Sequence, residues 1–164
     1  MLSLGDTGPG GSADASARPD AHTMLRDALK AGVGCFDTAP FYSFGLSERG
    51  VGDALRGARA VLSTEVGRLL RPGAHPDPAG QGWPGALPFH PMHDRGCDAI
   101  LWSFEDNLRR LGRERIDVLC VHDVGALIHG AANAYHRDAL TARGGHRTPR
   151  EPRDAGCARA MGLA

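Results

Sequence analysis

Apolar positions near the start of the chain recur at the spacing of a helix and then give way to a short apolar run. Asp20 is a typical N-cap residue and Gly32 a typical C-terminal cap, so the pattern predicts a helix over residues 20–32. Residues 33–39 are mostly apolar and end in Asp-Thr before a proline, which predicts a short strand. The apolar face of the predicted helix consists of Leu25, Ala28 and Leu29.

The same succession of helix and strand recurs twice. Ser47 is a predicted N-cap for a second helix that ends at Gly57, and residues 60–66 form the next apolar run. The strongest helical pattern covers residues 98–111, where apolar residues fall on one face and charged residues on the other. Residues 116–121 are nearly all apolar, which predicts a strand buried on both faces.

Other segments are less regular. Residues 68–95 contain six prolines and no sustained period, so we predict a long loop there. Residues 131–142 form a weaker candidate helix. Thr148 and Pro149 resemble the start of a further helix, which Pro152 is expected to disturb by removing a backbone donor.

Alternating strands and helices predict an α/β architecture with a parallel sheet. The chain offers at most five strands, including poorly defined ones at residues 2–4 and 158–163. A closed eight-stranded barrel typically takes about 250 residues. The 164 residues therefore predict an incomplete (β/α)8 TIM barrel of about the first four to five βα units, forming one truncated domain over residues 1–164. Glycine and proline clusters predict loose order over residues 1–19 and 72–95.

Composition excludes several classes of function. The 19 basic and 19 acidic residues balance, so no broad positive field favours nucleic acid as a partner. No apolar run approaches the roughly 18 to 20 residues of a membrane helix, and the first residues do not resemble a signal peptide. The four cysteines are widely spaced, which favours reduced thiols. We expect a cytoplasmic protein.

Three blocks of sequence resemble the aldo-keto reductases, in particular the branch of D-threo-aldose and L-fucose or galactose dehydrogenases. The blocks are GVGCFDTAPFYSFGLSERGVGDALRG followed by VLSTEVGRLLRP, then SFEDNLRRLGRERIDVLCVHDVG, then RDAGCARAMGLA. They occur in the family's order and span roughly residues 20–164. The resemblance implies an eight-stranded barrel that transfers hydride between NADP or NAD and an aldose or other small carbonyl.

The family's chemistry uses an aspartate, a tyrosine, a lysine and a histidine at the C-terminal ends of strands. By resemblance Asp37, Tyr42 and His122 match the aspartate, tyrosine and histidine. Glu65 occupies the usual lysine position, and Lys30, the one lysine of the chain, lies far from it in sequence.

Glu65 is expected to weaken proton transfer. A carbonyl that accepts hydride develops negative charge and needs a proton donor. A tyrosine has an unperturbed pKa of about 10, which a neighbouring ammonium lowers. With two carboxylates and no cation between them, we expect a higher pKa for Tyr42 and a carboxyl shifted toward its protonated form.

The resemblance implies that the residues gripping the cofactor come mainly from later strands of the barrel. Cofactor-binding residues therefore remain unknown, and we predict little or no activity from this chain alone. The alternative is a non-catalytic remnant or interaction module that self-associates or pairs with another chain, because an open parallel sheet exposes unpaired backbone groups.

Simpler roles exist for each candidate residue. Asp37 alone would be an ordinary capping residue, Tyr42 a loop residue and His122 a buried core histidine. His90 and His93 have a spacing that a metal site could use, but they lie in the proline-rich segment without an acidic or cysteine partner, so we predict no metal.

Overall fold

The computed structural model describes residues 2–3, 18–142 and 150–164. Its seven described strands are β1 (Leu2–Ser3), β2 (Cys35–Asp37), β3 (Val61–Val66), β4 (Arg68–Pro72), β5 (Phe89–His93), β6 (Ile116–Val121) and β7 (Ala158–Leu163). Its α-helices are α1 (Arg18–Lys30), α2 (Leu46–Ala54), α3 (Cys97–Leu111), α4 (Ala126–His129), α5 (Asn133–Leu140) and α6 (Arg150–Asp154).

Five strands form one parallel sheet in the order β1-β2-β3-β6-β7. The register sets Asp37 beside Ser63, and Glu65 beside Cys120. Because side chains alternate across a strand, Asp37, Ser63, Glu65 and Cys120 share one face of the sheet. This architecture agrees with the predicted α/β class.

The opposite face of the sheet is the core. Leu62 and Leu119 pack there against the apolar faces of α1, α2 and α3, which the helical spacing had predicted. The face that carries Glu65 is more open, since Val118 and Cys120 are only partly buried. The prediction that residues 116–121 are buried on both faces is therefore wrong, because helices cover one face of the sheet.

A buried polar cluster ties β3 to the helices on the core side. Glu48 of α2 accepts a hydrogen bond from the Thr64 hydroxyl (2.8 Å) and pairs with Arg110 Nε of α3 (2.5 Å). Asn107 of α3 donates its side-chain amide to the backbone carbonyl of Glu65 (2.7 Å). Burial raises the pKa of the Glu48 carboxyl, and Arg110 and the Thr64 hydroxyl oppose that shift. The cluster fixes the backbone from which Glu65 projects.

The segment predicted as a loop over residues 68–95 contains a hairpin instead. β4 and β5 pair antiparallel, with Leu70 beside Pro91. Proline is tolerated there because the hairpin has two strands and each leaves one edge unpaired. Gly67, with a φ of +93°, bends the chain between β3 and β4. The hairpin therefore starts at the C-terminal end of β3.

Predicted helix ends are confirmed where glycine ends the helix and wrong where a polar residue was expected to start it. Gly32 and Gly112 adopt φ of +94° and +60° just after α1 and α3. Asp20 lies within α1 and Ser47 within α2. The Ser47 hydroxyl bonds Thr38 Oγ1 (2.8 Å), a tertiary contact that helix propensity does not report.

The C-terminal part agrees in outline with its weaker patterns. Helix α5 lies within the predicted residues 131–142, and β7 matches the predicted last strand. The short helix α6 contains Pro152, while Thr148 and Pro149 lie outside the described residues. Within the described ranges, no helix is long and apolar enough to cross a membrane.

Candidate functional site

The sheet brings three of the predicted residues together at one edge. Asp37 is the last residue of β2, Glu65 lies next to the end of β3, and His122 directly follows β6. The carboxyl ends of parallel strands meet at one edge, so these side chains converge. The charges of both Glu65 and His122 shift the pKa of Asp37.

Tyr42 reaches the same edge from a tight turn. It starts a 3-10 turn, Tyr42–Gly45, that contains two non-glycine residues with positive φ, Ser43 (+50°) and Phe44 (+52°). The Tyr42 ring centroid lies 6.2 Å from that of His122 and 5.6 Å from that of Trp83. The structure thus brings Asp37, Tyr42, Glu65 and His122 into one cluster.

Glu65 and His122 form the closest polar contact in this cluster. Glu65 Oε2 lies 2.5 Å from His122 Nδ1, and both side chains are buried. The two atoms are close, but their alignment does not meet hydrogen-bond geometry. Burial raises the pKa of Glu65 to about 7, and Arg68 partly opposes that shift. Burial, with Arg68 and Arg95, lowers the pKa of His122 to about 3. The imidazole is therefore neutral at neutral pH.

The expectation of a carboxyl shifted toward its protonated form is confirmed in direction for both acids, although burial is the leading cause. Desolvation raises the pKa of Asp37, the Ser63 hydrogen bond lowers it and the Glu65 charge raises it further. Like-charge repulsion, which the sequence suggested as the cause, is the smaller effect.

A cation that the sequence analysis did not anticipate lies close enough to Glu65 to lower the pKa of its carboxyl. Arg68, the first residue of β4, forms an ion pair with Asp123 and stacks its guanidinium 3.8 Å from the centroid of the Phe41 ring. Only 8% of its side chain is exposed. Burial lowers the pKa of Arg68 to about 10, whereas the Glu65 and Tyr42 charges raise it. The guanidinium is therefore charged at neutral pH.

Arg95 holds the segment that follows β6. Its Nη2 donates to the backbone carbonyls of His122 (2.7 Å) and Asp123 (2.6 Å) and lies 2.9 Å from His129 Nε2. Asp123 has a φ of +51°, an uncommon conformation for a non-glycine residue. These bonds stabilise the turn that carries His122.

Sequence reasoning missed Arg68, Arg95 and Trp83. Arg68 lies three residues after Glu65, and a search for any cation, rather than for lysine, would have found it. Arg95 and Trp83 come from the segment predicted as a loop, and no local pattern distinguishes them from surface residues.

The histidines of the hairpin do not pair as their spacing suggested. His90 stacks on His75 (ring centroids 5.0 Å apart), whereas His93 lies against His129 (4.7 Å) and His136 (5.7 Å). Across the part of the chain that is described, no group of three or more His, Cys, Asp or Glu side chains could hold a metal ion.

Comparison with known proteins places this geometry in a family. The chain matches the aldo/keto reductase family over residues 1–141. It is 38% identical, over 173 residues, to a pyridoxal 4-dehydrogenase from Microbacterium luteolum, a match that covers 99% of this chain and 51% of that protein. It is also 38% identical over 113 residues to a D-threo-aldose 1-dehydrogenase from a Pseudomonas species, covering 63% of this chain and 34% of that protein.

Solved structures agree on the fold. An aldo-keto reductase from Bacillus halodurans in its holo form superposes with a TM-score of 0.59 at 25% identity, over 90% of this chain and 41% of that one. One from Klebsiella pneumoniae in complex with NADPH gives 0.63 at 23% identity, over 92% and 40%. The chain spans about half the length, or less, of these relatives. The predicted incomplete barrel is confirmed, and the chain belongs to the aldo/keto reductase family.

Proposed function

We propose that the protein is an NAD(P)-dependent oxidoreductase that interconverts an aldose or another small carbonyl with its alcohol, and that this chain alone is weak or inactive. The observation that carries the proposal is the convergence of Asp37, Tyr42 and His122 at the C-terminal edge of the sheet. The names of the two relatives make aldoses and pyridoxal the first substrates to test.

The proposed chemistry needs a proton at the substrate oxygen. A nicotinamide cofactor, when bound, supplies the hydride that reduces the carbonyl carbon. Tyr42 donates its hydroxyl proton to the carbonyl oxygen in reduction and accepts a proton from the alcohol in oxidation. The phenol and imidazole ring centroids are 6.2 Å apart, which allows one carbonyl oxygen to approach both Tyr42 and His122.

His122 is suited to orienting the substrate as a neutral donor. When Glu65 carries its proton, the close approach of its Oε2 to Nδ1 favours the tautomer of His122 that carries its hydrogen on Nε2. Nε2 lies 3.4 Å from Asp123 Oδ2, so that hydrogen is not held in a short bond. Phe41 and Trp83 pack edge to face (6.0 Å between centroids) and form an apolar wall next to Tyr42 and His122.

The described residues do not assemble a phosphate-binding site for the cofactor. The cations nearest the candidate site have partners, Arg68 in Asp123 and Arg95 in backbone carbonyls, although each also has a buried N–H that makes no hydrogen bond among the described residues. A basic groove that contains Arg59, Arg113 and Arg115 lies at the opposite edge of the sheet. We therefore assign no described residue to the dinucleotide, which is one reason to propose weak activity.

A second proposal follows from the edge of the sheet. Among the described strands β7 pairs only with β6, and Leu163 is 64% exposed. An exposed strand edge can add a strand from another chain. The alternative function is thus a non-catalytic module that associates with itself or with another chain. Size-exclusion chromatography with light scattering tests self-association: a monomer contradicts it and a discrete larger species supports it.

Thermal unfolding with and without NADPH tests the oxidoreductase proposal. A ligand that binds only the folded state raises the unfolding midpoint. We expect a raised midpoint and slow consumption of NADPH, followed at 340 nm, with aldoses or pyridoxal.

Tyr42→Phe provides the specific test of the site. The variant is expected to keep the midpoint shift and to lower turnover by about 100-fold. Tyr135→Phe is the matched control, since Tyr135 is exposed on α5. An unchanged midpoint and no turnover would show that this chain alone neither binds NADPH nor acts on these substrates, which favours the non-catalytic alternative, and equal loss in both variants would reject the role of Tyr42.

A further inference from the structure

We propose that Arg68 is a positioning residue that supplies, from the strand after Glu65, the positive charge that proton transfer by Tyr42 needs. The inference rests on the proposed function, because it concerns the same proton donor. In this interpretation the guanidinium of Arg68, at the start of the hairpin, provides the positive charge that the carboxyl at position 65 cannot provide.

The location of the guanidinium supports this role. Arg68 lies over the ring of Phe41, the residue immediately before Tyr42, and pairs with Asp123, the residue immediately after His122. It therefore contacts both segments that carry the candidate catalytic groups. The β4–β5 hairpin and the turn at Gly67 hold it there.

Arg68 has a hydrogen-bond donor that is available to a further group. Its Nε is buried and has no hydrogen-bond partner among the described residues. A buried donor of this kind usually has a partner in native proteins, so an unpartnered one points to a group that binds there. Asp123 pairs with Nη2, at one end of the guanidinium, so the charge of Arg68 is only partly neutralised.

The charges around Tyr42 have opposite signs. Asp37, Glu65 and Asp123 are acidic, and Arg68 and Arg95 are basic. Burial lowers the pKa of Arg68, while the Tyr42 charge raises it, so the phenolate and the guanidinium interact favourably. Electrostatic coupling is mutual, and the guanidinium therefore favours the ionised phenol by the same amount. Removing it leaves Arg95 as the one cation of this set beside three carboxylates.

Ultraviolet titration of the phenol tests the inference without requiring turnover. The chain has two tyrosines, so Tyr135→Phe leaves Tyr42 as the one absorbing phenol. In that background Arg68→Gln is expected to raise the pKa of Tyr42 by about one unit, because it removes a nearby opposite charge. Arg68→Lys keeps a positive charge and is expected to bring the pKa of Tyr42 most of the way back to its wild-type value.

Controls separate the charge from the fold. Arg71→Gln removes an exposed arginine of the same strand and is expected to leave the midpoint within about 0.3 unit. Circular dichroism and cooperative unfolding establish that each variant is folded. If Arg68→Gln does not fold, the pKa of Tyr42 is measured in Arg68→Met instead, because methionine retains an apolar stem over Phe41.

The outcomes distinguish this inference from the proposed function. An unchanged Tyr42 midpoint in a folded Arg68→Gln or Arg68→Met protein overturns the role of Arg68, whether or not the wild-type chain turns over. A raised pKa of Tyr42 together with absent turnover supports the role of Arg68 and favours the non-catalytic alternative for this chain.

Discussion

Gly52→Ala is expected to destabilise the protein by about 3 kcal/mol or more, at the upper end of overpacking effects. Gly52 lies in α2 where it crosses the C-terminal end of α3, and a Cβ at this position would lie 2.7 Å from the carbonyl carbon of Leu111 and closer still to its oxygen. Those atoms belong to the backbone, so neither helix can relieve the contact by a rotamer change. Urea unfolding followed by circular dichroism measures the loss.

Gly50→Ala is the matched control in the same helix. The nearest atom to a Cβ at Gly50 is His22 Nε2, 3.8 Å away, which is an ordinary contact distance. Alanine is a better helix former than glycine, so this variant is expected to gain about 0.5–1 kcal/mol. Equal stability of the two variants would show that α2 and α3 do not approach as closely as described.

Relative to the wild-type protein, Glu65→Gln is expected to become progressively more stable as the pH rises from 5 to 8, by about 2–3 kcal/mol over that range. Burial raises the pKa of Glu65 to about 7 from an ordinary value of 4.5. The folded state therefore binds the proton more tightly than the unfolded state. Between these two pKa values the wild-type protein loses stability with rising pH, and glutamine, which does not titrate, removes that loss.

Other groups at the site titrate too, so the comparison must be between variants at each pH. The pKa of Asp37 is raised in part by the Glu65 charge, so Glu65→Gln reduces that shift and changes the stability in the same direction, whereas burial with Arg68 and Arg95 lowers the pKa of His122 in both proteins. Glu114→Gln, at an exposed position, is the control and is expected to stay within about 0.5 kcal/mol throughout. A Glu65→Gln difference that is constant with pH would show that Glu65 is not held in a desolvated site.

The part of the fold built from periodic segments was predictable. Helix α3 and strand β3 were located to within one residue, because long amphipathic and apolar patterns report which face is buried. The hairpin of β4 and β5 was not predictable, because its strands contain prolines and pair only with each other. Helix starts were also misplaced, since Ser47 uses its hydroxyl for a contact with Thr38 rather than for capping.

The candidate site divides in the same way. Asp37, Tyr42, Glu65 and His122 were identified from motifs at strand ends, and a parallel sheet necessarily gathers such positions at one edge. Their roles as catalytic groups remain a prediction that the variants above test. Sequence motifs also revealed that a carboxyl stands where the family's lysine is expected, and the family itself is confirmed by the match over residues 1–141.

The sequence by itself therefore determined the family, the α/β class and the four residues at the sheet edge, because motifs and periodicity are local properties. Only the tertiary structure decided the electrostatics of the site. The charge on Arg68, the neutrality of His122 and the raised pKa of Glu65 all depend on burial and on neighbours brought in by the hairpin and the β6 turn. Desolvation and Coulomb interactions are set by distances between segments remote in the chain, and no local pattern records those distances.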